Sequence, residues 1–163
     1  MEILTWEGFG QAVVELGSAI RHDGYEPDVI LGIARGGLPL AASLGYSLAV
    51  KNLSVLNVEY YTGVDERLDF PVILPSPFDR VDLTGARLLI VDDVADTGVT
   101  LQLVHETVGN TVSDLRTAVL YEKPRSVVHC DYIWREVDEW IDFPWSSPSQ
   151  ILAPPSNAQP HRT

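Results

Sequence analysis

Leu88-Leu89-Ile90-Val91-Asp92-Asp93-Val94-Ala95-Asp96-Thr97-Gly98-Val99-Thr100-Leu101 reads as a buried strand, two acids, a polar turn and the start of a helix. Four apolar residues run without alternation, as in a central parallel strand covered on both faces. Asp92 and Asp93 stand where that strand ends. Asp96, Thr97, Gly98 and Thr100 supply hydroxyls and backbone N–H groups in a tight turn. The helix beginning near Val99 presents further unpaired N–H groups at its positive end. Together they make a phosphate cradle with carboxylates beside it. Such acids suit sugar hydroxyls, or a metal shared with a diphosphate. A sugar carrying phosphates is the first ligand class to consider.

Working outward, other segments repeat the strand-turn-helix order. Thr5 to His22 forms an amphipathic helix with Phe9, Val13, Leu16 and Ile20 on one face, stopped by Asp23-Gly24. Val29–Ile33 is a short buried strand, Ala34-Arg35-Gly36-Gly37 a turn, and Leu38–Val50 a helix with Pro39 in its first turn. Leu53–Tyr61 is a strand, Thr62–Pro71 a polar loop, Arg87–Val91 the strand already described, and Val99–Gly109 its helix. Leu115–Tyr121 and Tyr132-Ile133-Trp134 complete the strands. This alternation predicts a mainly parallel sheet with right-handed crossovers and helices on its faces. Ligands of such sheets bind at the carboxyl ends of the strands, where both glycine-bearing turns fall. From Ser146 onward the chain is rich in Ser, Pro and Gln and reads as an extended tail.

The 163 residues suffice for one domain, and 45% hydrophobic content fits a globular core. No apolar run approaches the roughly 18 residues of a membrane span. The N-terminus shows no basic region followed by an apolar one, so no secretory signal is expected. The lone cysteine, Cys130, excludes an internal disulfide, fits a reducing cytoplasm, and reads as a buried or idle thiol. Net charge is −12, with only two lysines, Lys51 and Lys123. That balance repels nucleic acid and anionic membranes, and both are discounted as partners. His22, His105, His129 and His161 show no ligand spacing, so no zinc site is expected.

The segment 88–101 resembles the signature of the type I phosphoribosyltransferases, which bind 5-phosphoribosyl-1-diphosphate (PRPP). That signature is an apolar strand, two acids, an apolar residue, any residue, an acid or small residue, Thr, Gly, any residue and Thr; every position fits. The resemblance implies an α/β type I phosphoribosyltransferase fold, with a small base-binding hood, over residues 1–145 and a tail over 146–163. It implies that Arg35, Gly36, Asp92, Asp93, Val94, Ala95, Asp96, Thr97, Gly98 and Thr100 bind PRPP. Asp96, Thr97, Gly98 and Thr100 would hold the 5-phosphate. Asp92 and Asp93 would take the ribose hydroxyls, directly or through Mg²⁺. Asp96 matches the position of a general base at purine N7. Alone, Ala34-Arg35-Gly36-Gly37 is an ordinary turn; by resemblance it is the diphosphate loop, with a cis peptide joining Ala34 to Arg35. Tyr60-Tyr61-Thr62-Gly63-Val64-Asp65-Glu66-Arg67 falls where the family has its mobile active-site loop, although a solvated hairpin tip reads equally well.

Further matches concern the base. Lys123, in Glu122-Lys123-Pro124-Arg125, matches a lysine that donates to the exocyclic O6 of purines. Glu139-Trp140-Ile141-Asp142-Phe143-Pro144-Trp145 is similar to a stretch of the microbial xanthine-guanine and hypoxanthine enzymes. It would place Trp140 over the base and the Ile141 backbone at its edge. Those enzymes often carry an acid after the second tryptophan, where this chain has Ser146. Ile151-Leu152-Ala153-Pro154-Pro155 is similar to their short tail. The resemblance implies a cytoplasmic, Mg²⁺-dependent transferase of purine salvage, acting on PRPP and a 6-oxopurine as a homo-oligomer, dimer or tetramer. Two other readings stay open: a non-catalytic regulator of the same fold binding nucleotide or RNA, and a transferase for a nonpurine base.

Overall fold

The computed structural model describes residues 1–63, 66–74 and 82–147. In chain order they form β1 (Glu2–Ile3), α1 (Trp6–His22), β2 (Val29–Ala34), α2 (Leu38–Ser47), β3 (Leu53–Gly63) and β4 (Glu66–Leu74). Then follow β5 (Arg87–Ala95), α3 (Val99–Val108), β6 (Asp114–Glu122), β7 (Tyr132–Glu136) and β8 (Ile141–Asp142). Six strands make one sheet in the order β4-β3-β2-β5-β6-β7, parallel throughout except for β4 at its edge. The reversal of strand order between β2 and β5 opens a crevice at their carboxyl ends, where ligands of open α/β sheets sit.

The uninterrupted apolar runs of β2 and β5 follow from burial on both faces. On one face Ile30, Leu89 and Val91 pack with Phe9, Leu16 and Ile20 of α1 and Leu40 and Leu44 of α2. On the other, Leu31, Ile33, Leu88 and Ile90 pack with Leu101, Val104 and Val108 of α3. The expected α1 face is present, with Val13 at its margin and Ala12 fully buried. Thr5 caps the helix by accepting from the Gly8 N–H at 3.0 Å. Cys130 is buried, and burial pushes its thiol pKa upward, which disfavours the thiolate. Among the described residues, no helix is long and apolar enough to cross a membrane.

Three expectations are corrected and one element is added. Thr62–Pro71, read as a loop, is mostly strand, because β3 runs to Gly63 and turns back antiparallel into β4. Pro71 obscured β4, yet it sits on an edge strand, where proline is tolerated. Strand β5 continues past Val91 to Ala95, held by the parallel ladder pairing Asp92 with Val119 and Val94 with Tyr121. Helix α2 stops at Ser47 rather than Val50. Ala49 there adopts φ 57°, and the Val50 N–H turns back to the Gly45 carbonyl at 2.9 Å, a Schellman closure with alanine in glycine's usual place. Finally, β1 and β8 make a separate two-stranded parallel ribbon, with Glu2 opposite Ile141, which sequence periodicity did not reveal. Residues 148–163 lie outside the described residues, and with them most of the tail and the Ile151–Pro155 match.

Candidate active site

Two turns at the carboxyl ends of β2 and β5 build the site. After β5, Asp96 and Thr97 lead to Gly98, which adopts φ +77°. A side chain there would be strained by that backbone angle, and its Cβ would lie 2.4 Å from Ser126 Oγ. Gly98 has no side chain to cap α3, and the Val99 N–H leans on Thr97 Oγ1 at 3.4 Å, so the positive end of the helix faces this turn. Asp92, Val94, Ala95, Asp96, Thr97, Gly98 and Thr100 line a cleft of about 410 Å³. After β2, the Ala34–Arg35 peptide is cis, as the resemblance implies. Arg35, Gly36 and Asp93 line a second cleft of about 710 Å³, shared with Leu38, Pro39, Trp145 and Ser146. All ten residues expected to bind PRPP therefore border these two clefts.

Asp92 and Asp93 divide the clefts between them. Successive strand residues point to opposite faces. Asp92 thus looks toward the α3 turn and Asp93 toward the α2 turn. Gly36 presses on Asp93 so closely that a Cβ would fall 2.1 Å from its Oδ2. Gly37 is equally confined, with the Val91 carbonyl oxygen 2.5 Å and Asp92 Cα 2.8 Å from an added Cβ. Burial, followed by the neighbouring Asp93 charge, raises the Asp92 pKa well above the ordinary carboxylate range. Burial also raises that of Asp93, against hydrogen bonds from the Val94 backbone, Asp92 and the Trp145 side chain. Two carboxyls that resist ionising side by side are matched by a divalent cation. Among the described residues no third His, Cys, Asp or Glu joins them. That fits Mg²⁺, which is commonly held by one or two carboxylates, substrate oxygens and water.

Asp96 faces a different environment. Its Oδ1 receives Arg125 Nε at 2.8 Å, a second, shorter contact from the same guanidinium, and Lys123 Nζ at 3.4 Å. Partial burial works to raise its pKa, but Arg125 and Lys123 outweigh it and the net shift is downward. The Lys123 side chain is only 9% exposed, which ties a sequence-expected base contact directly to the sequence-expected general base. The turn carrying it is fastened to the phosphate loop: Lys123 N–H donates to the Ala95 carbonyl at 3.0 Å and Val127 N–H to that of Thr97 at 2.9 Å. Glu122, buried, closes the far end by accepting from the Cys130 N–H at 2.7 Å and pairing with His129 Nδ1 at 3.0 Å.

Trp140 and Ile141 stand apart, on the β1–β8 ribbon. Trp140 is 74% exposed and open to a flat ligand. Its carbonyl and that of Asp142 accept from Glu2 and Leu4, so strand alternation turns the Ile141 backbone groups to the other edge. Sequence reasoning gave no role to Arg125, Ser126, Val127 or Trp145. A basic residue two positions beyond Lys123 was a visible signal for Arg125. The contacts of Ser126 and Val127 arise only when β6 lies beside β5.

The family model described as phosphoribosyl transferase domain matches residues 1–151. The xanthine-guanine phosphoribosyltransferase of Gluconobacter oxydans is 34% identical over 128 residues, spanning 77% of this chain and 72% of its own. That of Nitratidesulfovibrio vulgaris is 31% identical over 162 residues, spanning 98% of this chain and 93% of its own. The crystal structure of a purine phosphoribosyltransferase from Pyrococcus horikoshii is 38% identical, with a TM-score of 0.75 over 88% of this chain and 92% of that one. The match covers both clefts and the turn that carries Lys123, and the chain belongs to the phosphoribosyltransferase family.

Proposed function

We propose that this protein joins a 6-oxopurine (xanthine, guanine or hypoxanthine) to PRPP in purine salvage, releasing diphosphate and forming a nucleoside 5′-monophosphate. One observation carries the choice of base: Lys123 Nζ lies 3.4 Å from Asp96 Oδ1. A donor and an acceptor side by side complement adjacent atoms of a 6-oxopurine, the O6 acceptor and the N7–H donor. Adenine offers an amino group and an unprotonated N7 there, the reverse pattern. The similarity to xanthine-guanine enzymes supports the same assignment.

In this reading the α3 turn holds the 5-phosphate on its N–H groups, and Arg35 and Gly36 hold the diphosphate. Asp92 and Asp93 orient the ribose hydroxyls. They would also hold Mg²⁺, which neutralises charge on the leaving diphosphate. N9 of the base attacks the sugar C1 as the C1–oxygen bond to diphosphate breaks, and the N7 proton passes to Asp96. Lys123 beside Asp96 favours its ionised form, ready to accept that proton. Trp140 stacks on the base, and the Ile141 backbone reads its edge. Most of the rate enhancement is positioning and charge neutralisation. A lone buried thiol suits a cytoplasmic enzyme. A dimer or tetramer is expected, which sedimentation velocity counts.

The test is a panel of xanthine, guanine, hypoxanthine, adenine, uracil and orotate with PRPP and Mg²⁺, scored for diphosphate release. Release with 6-oxopurines alone is expected. Efficient use of adenine or a pyrimidine overturns the base assignment, and no release with any base favours a non-catalytic regulator.

A further inference from the structure

The phosphate loop contains no cation of its own: Asp96-Thr97-Gly98-Val99-Thr100 carries one acid and no base. A phosphate entering it meets the Asp96 carboxylate at the rim, in a chain of net charge −12. Two cations stand at that rim, and both engage the same oxygen, Oδ1 of Asp96. They differ in freedom. Lys123 is 9% exposed along its side chain, whereas that of Arg125 is 59% exposed. The turn beneath them is fixed to Ala95 and Thr97 by backbone hydrogen bonds, and the Ser126 N–H closes it onto the Lys123 carbonyl at 2.9 Å. The exposed Arg125 side chain can therefore swing away without disturbing the turn.

A guanidinium offers five donors in a planar fork, and a phosphate dianion attracts it more strongly than a single carboxylate. As the loop fills, Arg125 therefore gains a better partner within a side-chain rotation of its present one. We propose that Arg125 covers Asp96 in the ligand-free protein and exchanges it for the 5-phosphate of PRPP, leaving Asp96 and Lys123 open to the purine. This rests on the function proposed above. Arg125 then binds phosphate and guards the base site in turn, and the pair at 3.4 Å becomes usable only after the sugar phosphate is seated.

The two roles give opposite signs in one variant, which a merely structural role does not. Isothermal titration calorimetry of the full chain with ribose 5-phosphate, and separately with hypoxanthine in the absence of phosphates, reads both. Arg125→Met is expected to weaken ribose 5-phosphate about tenfold or more, the scale of a lost charged hydrogen bond. It is expected to tighten hypoxanthine binding to the ligand-free protein several-fold. Arg125→Lys keeps the charge without the fork and should fall between, and it carries the test if the methionine variant does not fold. Unchanged ribose 5-phosphate affinity, or weakening of both ligands together, overturns the proposal. Diphosphate release by the unmodified protein with hypoxanthine and PRPP is measured alongside: its absence would sink the functional reading, whereas its presence with unchanged Arg125 variants sinks only the exchange.

Discussion

Gly36 and Gly37 are neighbours in one turn, yet substituting each by alanine should produce different damage. At Gly36 the added Cβ falls 2.1 Å from Oδ2, 2.5 Å from Cγ and 2.7 Å from Oδ1 of Asp93, the mobile end of a side chain. The carboxylate can rotate away by about 1 Å or more to restore van der Waals distance, so the fold is spared and the site is not. A misplacement of about 1 Å among positioning groups can cost on the order of 100-fold. At Gly37 the Cβ meets the Val91 carbonyl oxygen at 2.5 Å, Asp92 Cα at 2.8 Å and the Ile33 carbonyl oxygen at 2.8 Å, all main-chain atoms of the two central strands. Those cannot rotate aside. Overpacking of this kind costs about 1–3 kcal/mol, and each kcal/mol lowers Tm by about 2–4 °C in a domain of this size. Gly37→Ala should therefore melt roughly 2–12 °C lower. Gly36→Ala should melt within a degree or two of the parent but lose about 10- to 100-fold in kcat/KM for PRPP. Calorimetric melts and diphosphate release at varied PRPP distinguish the two. Equal Tm losses, or an unaltered kcat/KM in Gly36→Ala, would refute the steric argument.

Asp96→Asn should cut turnover by about 100-fold or more, the usual scale for a general base, while ribose 5-phosphate still binds; unchanged turnover would confine Asp96 to the phosphate loop. Lys123→Met should lower activity on xanthine, guanine and hypoxanthine together and weaken the bias against adenine, since a site built around one such hydrogen bond discriminates by up to about 10⁴-fold. An unaltered base profile would remove Lys123 from recognition. Asp92 has a folded-state pKa above its unfolded one, so the folded chain binds the extra proton and stability falls as pH rises through that interval. Asp92→Asn should thus raise the ligand-free Tm at pH 7, because it removes a carboxylate disfavoured first by burial and then by the Asp93 charge, and the gain should vanish below about pH 4. A lower Tm at pH 7 would show that the pair does not oppose folding.

Much of the phosphate side of the site was legible because its chemistry is local. The apolar run Leu88–Val91, the paired acids and the Thr97-Gly98 turn lie within one strand-turn-helix unit. What escaped depends on contacts between distant segments. Asp92 and Asp93 have poor β propensity, so the strand reads as ending there, and only the ladder to Val119 and Tyr121 extends it. Strand β4 escaped because charge and Pro71 mask its alternation. The end of α2 escaped because Leu48-Ala49-Val50 continues a helix-forming composition through a residue at φ 57°. Arg125 was visible as a charge but not as a partner, since its pairing with Asp96 spans 29 residues of sequence.

The ribbon of β1 and β8 pairs Glu2 with Ile141, joining the two ends of the described chain. Closing a loop of that span is entropically late work, and such distant pairing slows folding. The cleft before α3, by contrast, is drawn only from Asp92 to Leu101, whereas the cleft at Arg35 also needs Trp145 and Ser146. The cleft before α3 can thus form early, while the surface bearing Trp140 waits on a pairing across 139 residues, from Glu2 to Ile141. Slippage of this short ribbon would then displace Trp140 and the Ile141 backbone while sparing the cleft before α3.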